Sequence, residues 1–498
     1  MHGSHRTALG LLLGLGALGL AYHGVLGLEL VGWDSYPMIA ASRVERAGDL
    51  AATLGRELMD GRYPGGRFHR PLTSLSFALD WALWGLRPLG YQLTNLVALG
   101  AGALAVHALA RRLLGSGAGA WLAPALFALH PLQLEVVPVA SRRADLLAAL
   151  FTSAALAASL GARSRRANVL AALCVAAAAT SKEIGAVALP LIAAAAFLLP
   201  AEATARERLG AALRAAALPA AAFAAVLAAR IAALGGLGGH PESSFALAGL
   251  RGLAMLPEIA RSLLEPQPLG GSPAESALAF LALLGAVAAG LWLVARAEPP
   301  RADAPAPRRV LAVLAVWLAA LLALTSVSGV RASWYGVPFL PPYALALGLL
   351  ADGAVAAARA RRRRTAVLAG GVCLALVASH LGFSSLVHDY PEWRTVSEQQ
   401  RAFLARLADA LPTAVPGTTL AVEGLPLGEA KPRDEVGIRS ALGISDYGAQ
   451  AWAELRFPSQ PVRVVLHLGP PPTPPTPGVV TIDAVPLPSP VLRAGAPP

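Results

Sequence analysis

The stretch Leu9-Gly10-Leu11-Leu12-Leu13-Gly14-Leu15-Gly16-Ala17-Leu18-Gly19-Leu20-Ala21-Tyr22, followed by Glu29-Leu30-Val31-Gly32-Trp33-Asp34-Ser35-Tyr36-Pro37, decides how the chain is read. Residues 7–28 make an apolar run long enough for a bilayer-spanning helix, which takes about 20 such residues. No small-residue cleavage site stands out and further apolar runs follow, so the run is expected to be a retained first helix rather than a removable leader. Asp34 then lies just beyond the membrane, ahead of a polar loop and more apolar segments. An enzyme acting on a lipid-linked substrate would keep a base at such a position.

The composition widens this reading to the whole chain. Of 498 residues 55% are hydrophobic and 14% charged, and the mean hydropathy is +0.56, as in a polytopic helical membrane protein. Apolar runs place spans near 7–28, 92–111, 118–131, 145–162, 167–181, 184–200, 209–233, 275–296, 309–328, 337–357 and 365–386, about eleven crossings. Cys174 and Cys373 both fall within apolar segments, which excludes a disulfide framework or a thiolate metal site. The formal charge of +11 would suggest nucleic acid in a soluble protein, but no basic face with interleaved aromatics accompanies it. Lys182 and Lys431 are the only lysines.

Much of the positive charge instead orients the chain. Arg111-Arg112, Arg163 to Arg166, Arg206 to Arg208, Arg296 to Arg309 and Arg359 to Arg364 fall on alternate loops, on the same side as His2, His5 and Arg6. The positive-inside rule makes that side cytoplasmic. An odd number of crossings then puts the C-terminal segment outside, together with loops 29–91, 131–144 and 234–274. Residues 249–265 are amphipathic and interrupted by Pro257, so they are expected to lie on the outer surface. The tail, 387–498, reads as a small extracytoplasmic α/β domain: a helix over 398–411, strands at 418–422, 461–468 and 479–482, a Pro-rich connector at 469–477 and a partly disordered end. It carries no repeat of the roughly 34-residue helical kind.

Outward positions concentrate polar groups. The first loop holds Asp34, His69 and Arg70; the second runs His130-Pro131-Leu132-Gln133-Leu134-Glu135 and Ser141-Arg142-Arg143-Ala144-Asp145; the third is Ser181-Lys182-Glu183, pinched between two apolar helices. Ionisable groups near membrane depth are costly and face a bundle interior or an aqueous cavity, which makes Lys182 and Glu183 functional candidates. Their bland alternative is to pair with each other or to cap helix ends, and for His130 it is a backbone-bonded helix end.

These strings carry a resemblance. Phe68-His69-Arg70-Pro71-Leu72, Ser76-Phe77-Ala78-Leu79-Asp80 and Leu83-Trp84-Gly85-Leu86-Arg87-Pro88-Leu89-Gly90-Tyr91-Gln92-Leu93-Thr94-Asn95-Leu96, then the 130–135, 141–147 and 181–183 runs in the same order, resemble the multi-spanning O-mannosyltransferase-like proteins that often carry tetratricopeptide repeats. The match covers roughly residues 30–200 and depends on several strings recurring in register. It implies a mainly α, polytopic GT-C architecture over 1–386, in which a polyprenyl-phosphate sugar is used at the outer membrane face. Two departures stand out: paired acids after the first helix are here Asp34 followed by Ser35, and a late Glu-Arg-x-x-Tyr-x-Pro pattern is only echoed by Val330-Arg331-Ala332-Ser333-Trp334-Tyr335, without its Glu.

The chemistry implied is inverting transfer of a sugar to an acceptor hydroxyl of a protein, glycan or lipid. Asp34 is expected as base, and Arg70, Arg142, Arg143, Lys182 and Arg331 as the cations for the donor phosphate, with Lys182 and Arg142 foremost. His130, Glu135, Asp145 and Glu183 would support them. No metal or other cofactor is assigned; a divalent ion on Glu135 and Asp145 is the less favoured arrangement, because the carboxylates come from separate loops without diagnostic spacing. The expected setting is a bacterial cytoplasmic membrane, with the N-terminus cytoplasmic. A transporter or flippase of a lipid-linked substrate, or a non-catalytic scaffold of the same architecture, remain the other readings; a cavity joining Asp34 to Lys182 would favour the enzyme.

Overall fold

Helix starts follow local chemistry. Proline opens the helices Pro71–Trp84, Pro88–Leu113, Pro273–Ala295, Pro307–Ser328 and Pro391–Ala410, where its missing N–H is no loss. Thr204 and Ser272 each accept from the N–H three residues on, while Glu207 and Glu275 reach back to the cap, reciprocal pairs that satisfy orphan donors. In this computed structural model, residue 14 and residues 16–63, 65–161, 164–241, 243–244, 246–265, 272–296, 304–328, 332–388, 390–414, 417, 419–423, 425, 428–430, 440–466 and 479–483 are described.

Among the described residues six helices are long and apolar enough to cross a membrane: Pro88–Leu113, Ala205–Leu234, Pro273–Ala295, Pro307–Ser328, Ser333–Arg359 and Arg363–Gly382. The other predicted spans also fall on helices, but shorter ones. Arg143–Ser159 and Arg165–Ser181 have 17 residues each and Gly119–Leu129 has 11, against the roughly 20 that a full crossing takes. Of the span predicted at 7–28, residues 16–21 are helical and His23–Gly27 form a tight 3₁₀ turn. The Ser333–Arg359 helix is the most enclosed, while Ala205–Leu234 and Pro273–Ala295 expose most of their apolar side chains, as an outer layer facing lipid would. At one end of the bundle Arg112 donates to the Leu160 carbonyl (3.2 Å) and Arg309 to that of Ala201 (3.0 Å), so these Arg-rich helix ends lie beside neighbouring ones.

One expectation needs correction. Pro257 does not interrupt the amphipathic segment: Ala248–Leu264 is one helix with Pro257 inside it. Pro257 sits on the exposed side with Leu250, Leu253 and Leu256, while Met255, Ile259 and Leu263 are buried, so the lost backbone bond falls where no packing depends on it. The 29–91 stretch contains the helices Ser35–Ser42, Ala47–Gly55 and Pro71–Trp84.

The tail starts with Pro391–Ala410, seven residues earlier than its periodicity suggested. Three strands, β1 (Thr419–Glu423), β4 (Arg463–Leu466) and β5 (Val479–Asp483), form a parallel sheet of order β4-β1-β5, and β2 (Gly428–Ala430) pairs antiparallel with β3 (Ser440–Leu442). The Pro-rich connector and the last residues lie outside the described residues. Sequence reasoning missed β2, β3 and the helix Asp446–Arg456. The tail does not float free: Phe403, Leu420, Ile444 and Trp452 share one apolar core with Leu30, Tyr36, Ile39 and Phe68 of the 29–91 stretch. Gln400 donates to the Leu30 carbonyl (3.1 Å) and Trp393 to that of Leu134 (2.9 Å).

Candidate active site

Asp34 stands at the end of a turn that the chain makes only with glycine. Gly32 has φ +95°, and a Cβ there would meet Val139 Cγ1 at 2.5 Å, so a side chain is excluded both sterically and conformationally. The turn aims Asp34 into a cavity of about 310 Å³ whose walls include Arg70, Arg142, Asp145, Lys182, His240, Trp334, Tyr335 and Tyr447. A second cavity of about 220 Å³ continues from it past Arg70, Asp145, Lys182, His240 and Tyr335 to Glu183 and Arg230, with apolar walls from Leu237, Leu324 and Val327. Asp34 and Lys182 therefore line one continuous space.

The acid is held in an unusual state. Its Oδ1 accepts a hydrogen bond from the Tyr447 hydroxyl (2.7 Å). Burial pushes its carboxyl above the usual carboxylate range, and the Tyr447 bond with the nearby charges of Arg70 and Arg142 only partly opposes this. Ser35, where a second acid would stand, is fully buried and donates to the Val31 carbonyl (2.7 Å); its hydroxyl serves the turn.

The cations arrive from separate elements. Lys182 sits in extended backbone between the helix Arg165–Ser181 and the 3₁₀ turn Glu183–Val187, and this break sends the two neighbouring side chains to different partners. Lys182 Nζ donates to both oxygens of Asp145 (2.7 and 2.8 Å) and lies 4.6 Å from the Tyr335 ring centre. Glu183 takes Arg70 (2.7 Å) and Arg230 (2.7 Å). They neither pair with each other nor merely cap helices. Arg142 donates to the carbonyl of Glu135 and pairs with its carboxylate (3.3 Å), and its guanidinium stacks 3.6 Å from the Trp334 ring centre. Burial lowers Arg142 to about 10, with Glu135, Asp145 and Asp34 opposing, which leaves it a cation at neutral pH. Its Nη2 has no hydrogen-bond partner among the described residues although the atom is buried.

Two expected members lie elsewhere. Arg143 is fully buried and lines neither of these cavities, with an ion pair to Asp80 (2.6 Å) and bonds to Asn95, Ser76 and the Tyr91 carbonyl. His130 bonds the Leu263 carbonyl (3.1 Å) and packs 4.5 Å from the His380 ring, away from both cavities. Arg331 lies outside the described residues. Among the described residues no group of three or more His, Cys, Asp and Glu side chains converges as a metal site would require.

Arg230, His240, Trp334, Tyr335 and Tyr447 were missed as site residues. Arg230 carried a signal as the lone charge between Arg214 and His240 in a long apolar segment, the pattern of an intramembrane functional group, and Trp334 and Tyr335 stood within the echoed late pattern.

No family model matches the chain. Protein O-mannosyl-transferase Tmtc1 of Drosophila melanogaster is 37% identical over 149 residues, 29% of this chain and 17% of that protein. Protein O-mannosyl-transferase TMTC2 of Homo sapiens is 39% identical over 83 residues, 17% of this chain and 10% of that protein. The chain thus spans less than a fifth of the length of these relatives, and it resembles O-mannosyltransferase-like proteins over that part. Among solved structures, ArnT from Cupriavidus metallidurans, bound to undecaprenyl phosphate, aligns over 91% of this chain and 89% of its own at 16% identity and a TM-score of 0.48. The Archaeoglobus fulgidus oligosaccharyltransferase aligns over 83% and 60% at 15% identity and a TM-score of 0.44.

Proposed function

We propose that the chain is a multi-pass membrane glycosyltransferase of GT-C type that moves a sugar, mannose first among the candidates, from a polyprenyl phosphate to an acceptor hydroxyl of a protein, glycan or lipid. One observation carries this reading: Asp34, a half-buried carboxylate whose pKa is pushed up, opens onto the same cavity as Arg142, whose Nη2 has no hydrogen-bond partner among the described residues. A base tuned upward and a guanidinium with a spare donor are the two groups that inverting transfer from a phosphate needs. The acceptor hydroxyl gives its proton to Asp34 as its oxygen bonds to the anomeric carbon. The bond from that carbon to the phosphate oxygen breaks on the opposite face, and the charge gained by the lipid phosphate is met by Arg142, Arg70 and Lys182. General-base help of this kind contributes roughly 10² to 10⁴ in rate.

Asp145, Glu135 and Glu183 orient these cations, and Arg230 joins Arg70 on Glu183. No resident metal or other cofactor is required. Arg143 and His130 are left out of the chemistry, because their polar atoms are spent on packing. The membrane arrangement proposed is about eleven crossings of a bacterial cytoplasmic membrane, with the short helices completing partial crossings, the Arg-rich ends and N-terminus inside, and the C-terminal α/β segment outside.

Asp34→Asn tests this directly. In membranes holding the full chain and supplied with polyprenyl-phosphate mannose, release of polyprenyl phosphate is expected to fall about 10² to 10⁴-fold at wild-type protein levels. Unchanged release would remove Asp34 from the mechanism.

A further inference from the structure

Beside the apolar core that it shares with the 29–91 stretch, the tail makes a set of polar contacts with the proposed base and its turn. Its residues 442–448 follow the Gly32-Trp33-Asp34 turn one residue at a time. The Leu442 carbonyl accepts from the Gly32 N–H (2.8 Å), Ser445 Oγ donates to the Trp33 carbonyl (3.0 Å), and Tyr447 Oη donates to Asp34 Oδ1 (2.7 Å). Gly448 fits because it has no side chain: a Cβ there would meet the Trp33 carbonyl oxygen at 3.0 Å. Ser445 also caps the helix Asp446–Arg456, accepting from the Gly448 N–H (3.0 Å), so the tyrosine leaves from the first turn of a capped, defined element. Farther along the same helix, Glu454 pairs with Arg62 (3.0 Å) as a second tie to the 29–91 stretch.

We propose that Tyr447 is the positioning residue for Asp34, and that the C-terminal segment completes the catalytic site by latching the Gly32–Asp34 turn. This rests on Asp34 being the base. The hydroxyl occupies Oδ1, and Oδ2 carries no hydrogen bond among the described residues, so the carboxylate is fixed with one oxygen left for the incoming hydroxyl. A donor to the ionised form also favours that form, which counteracts part of the upward push of burial. Asp34 is thereby kept basic enough to take a proton while remaining ionised over a useful pH range.

Tyr447→Phe separates this from a merely structural role. With polyprenyl-phosphate mannose and full-chain membranes, kcat is expected to fall about tenfold or more while the donor KM stays near wild type, since one hydrogen bond to a charged group is lost. The acid limb of the kcat/KM profile is expected to move to higher pH by about one unit, a shift that loosened packing would not produce. Wild-type kcat and an unmoved limb would overturn the proposal. If Asp34→Asn abolishes release in that same assay, the base reading survives and only the positioning role falls. Should Tyr447→Phe fail to accumulate, Ser445→Ala carries the test, because it cuts the latch at Trp33 without touching Asp34. A kcat loss of roughly 3- to 10-fold at unchanged donor KM supports the latch, and wild-type kcat overturns it.

Discussion

Arg142 and Arg143 are neighbours of the same type at the start of one helix, and their surroundings could hardly differ more. Arg143 spends every nitrogen: Nε on Asn95 (2.8 Å), Nη1 on Ser76 (3.1 Å), and Nη2 on the Tyr91 carbonyl (3.0 Å) and Asp80 (2.6 Å), with Phe77 beneath its plane at 4.8 Å. Arg142 meets Glu135 through Nη1, lies against Trp334 and, among the described residues, leaves Nη2 without a partner on the wall of the Asp34 cavity. Buried polar atoms are nearly always satisfied, so a vacant donor in a cavity marks a place for a ligand. A saturated guanidinium marks a joint between elements. Charge and position in sequence do not separate the two roles; saturation does.

The sharpest way to break this comparison is to truncate the saturated member. Arg143→Ala strands Asp80, which is 1% exposed, without its cation. Removing one partner of a buried pair costs about 3–5 kcal/mol, so we expect a large loss of thermal stability in detergent and poor accumulation in membranes. A variant that melts like the wild type would mean that the Asp80 pair holds nothing together. Next in size is Arg142→Lys, which keeps a charge but loses the planar fork and the stacking on Trp334. Release of polyprenyl phosphate is expected to fall on the order of 10²-fold, about 2.7 kcal/mol of transition-state stabilisation, with thermal stability close to wild type. Equal turnover would show that a point charge suffices there and that the spare Nη2 is incidental.

The same distinction explains what could be read from the sequence. Asp34, Arg70, Arg142, Asp145, Lys182 and Glu183 were legible because a charged group beside an apolar span is expensive and needs a reason. Their runs also recur in order in the resemblance. Their pairing was not legible. Lys182 and Glu183 are adjacent, and only the extended backbone at Lys182 sends one to Asp145 and the other to Arg70 and Arg230. Tyr447 lay beyond reach, since its partner is 413 positions away and a tyrosine in a polar segment gives no periodic signal. Most predicted spans coincide with helices because apolar run length dictates them, whereas the helices within 29–91 are short and shaped by tertiary packing against one another and, for Ser35–Ser42, against the tail, which overrides local pattern.

The smallest expected effect concerns His130, which the sequence places beside Glu135 as a supporting residue. Its Nδ1 accepts from the Leu132 N–H (3.2 Å), and both His130 and His380 converge on the Leu263 carbonyl, at 3.1 and 2.8 Å. That carbonyl lies at the end of the amphipathic helix Ala248–Leu264, so the two rings tie the helix end to the bundle, as Arg143 ties the helices Pro71–Trp84 and Pro88–Leu113 together. A neutral His130 ring does both jobs at once, its Nε2–H donating to Leu263 while its Nδ1 accepts from Leu132. His130→Phe keeps the aromatic packing and removes the hydrogen bonds, for which about 1–3 kcal/mol of stability is expected with turnover at the wild-type level. Measuring melting and turnover on the same preparation decides the matter: a loss of turnover at unchanged stability would move His130 from the joint into the chemistry and blur the line that Arg142 and Arg143 draw.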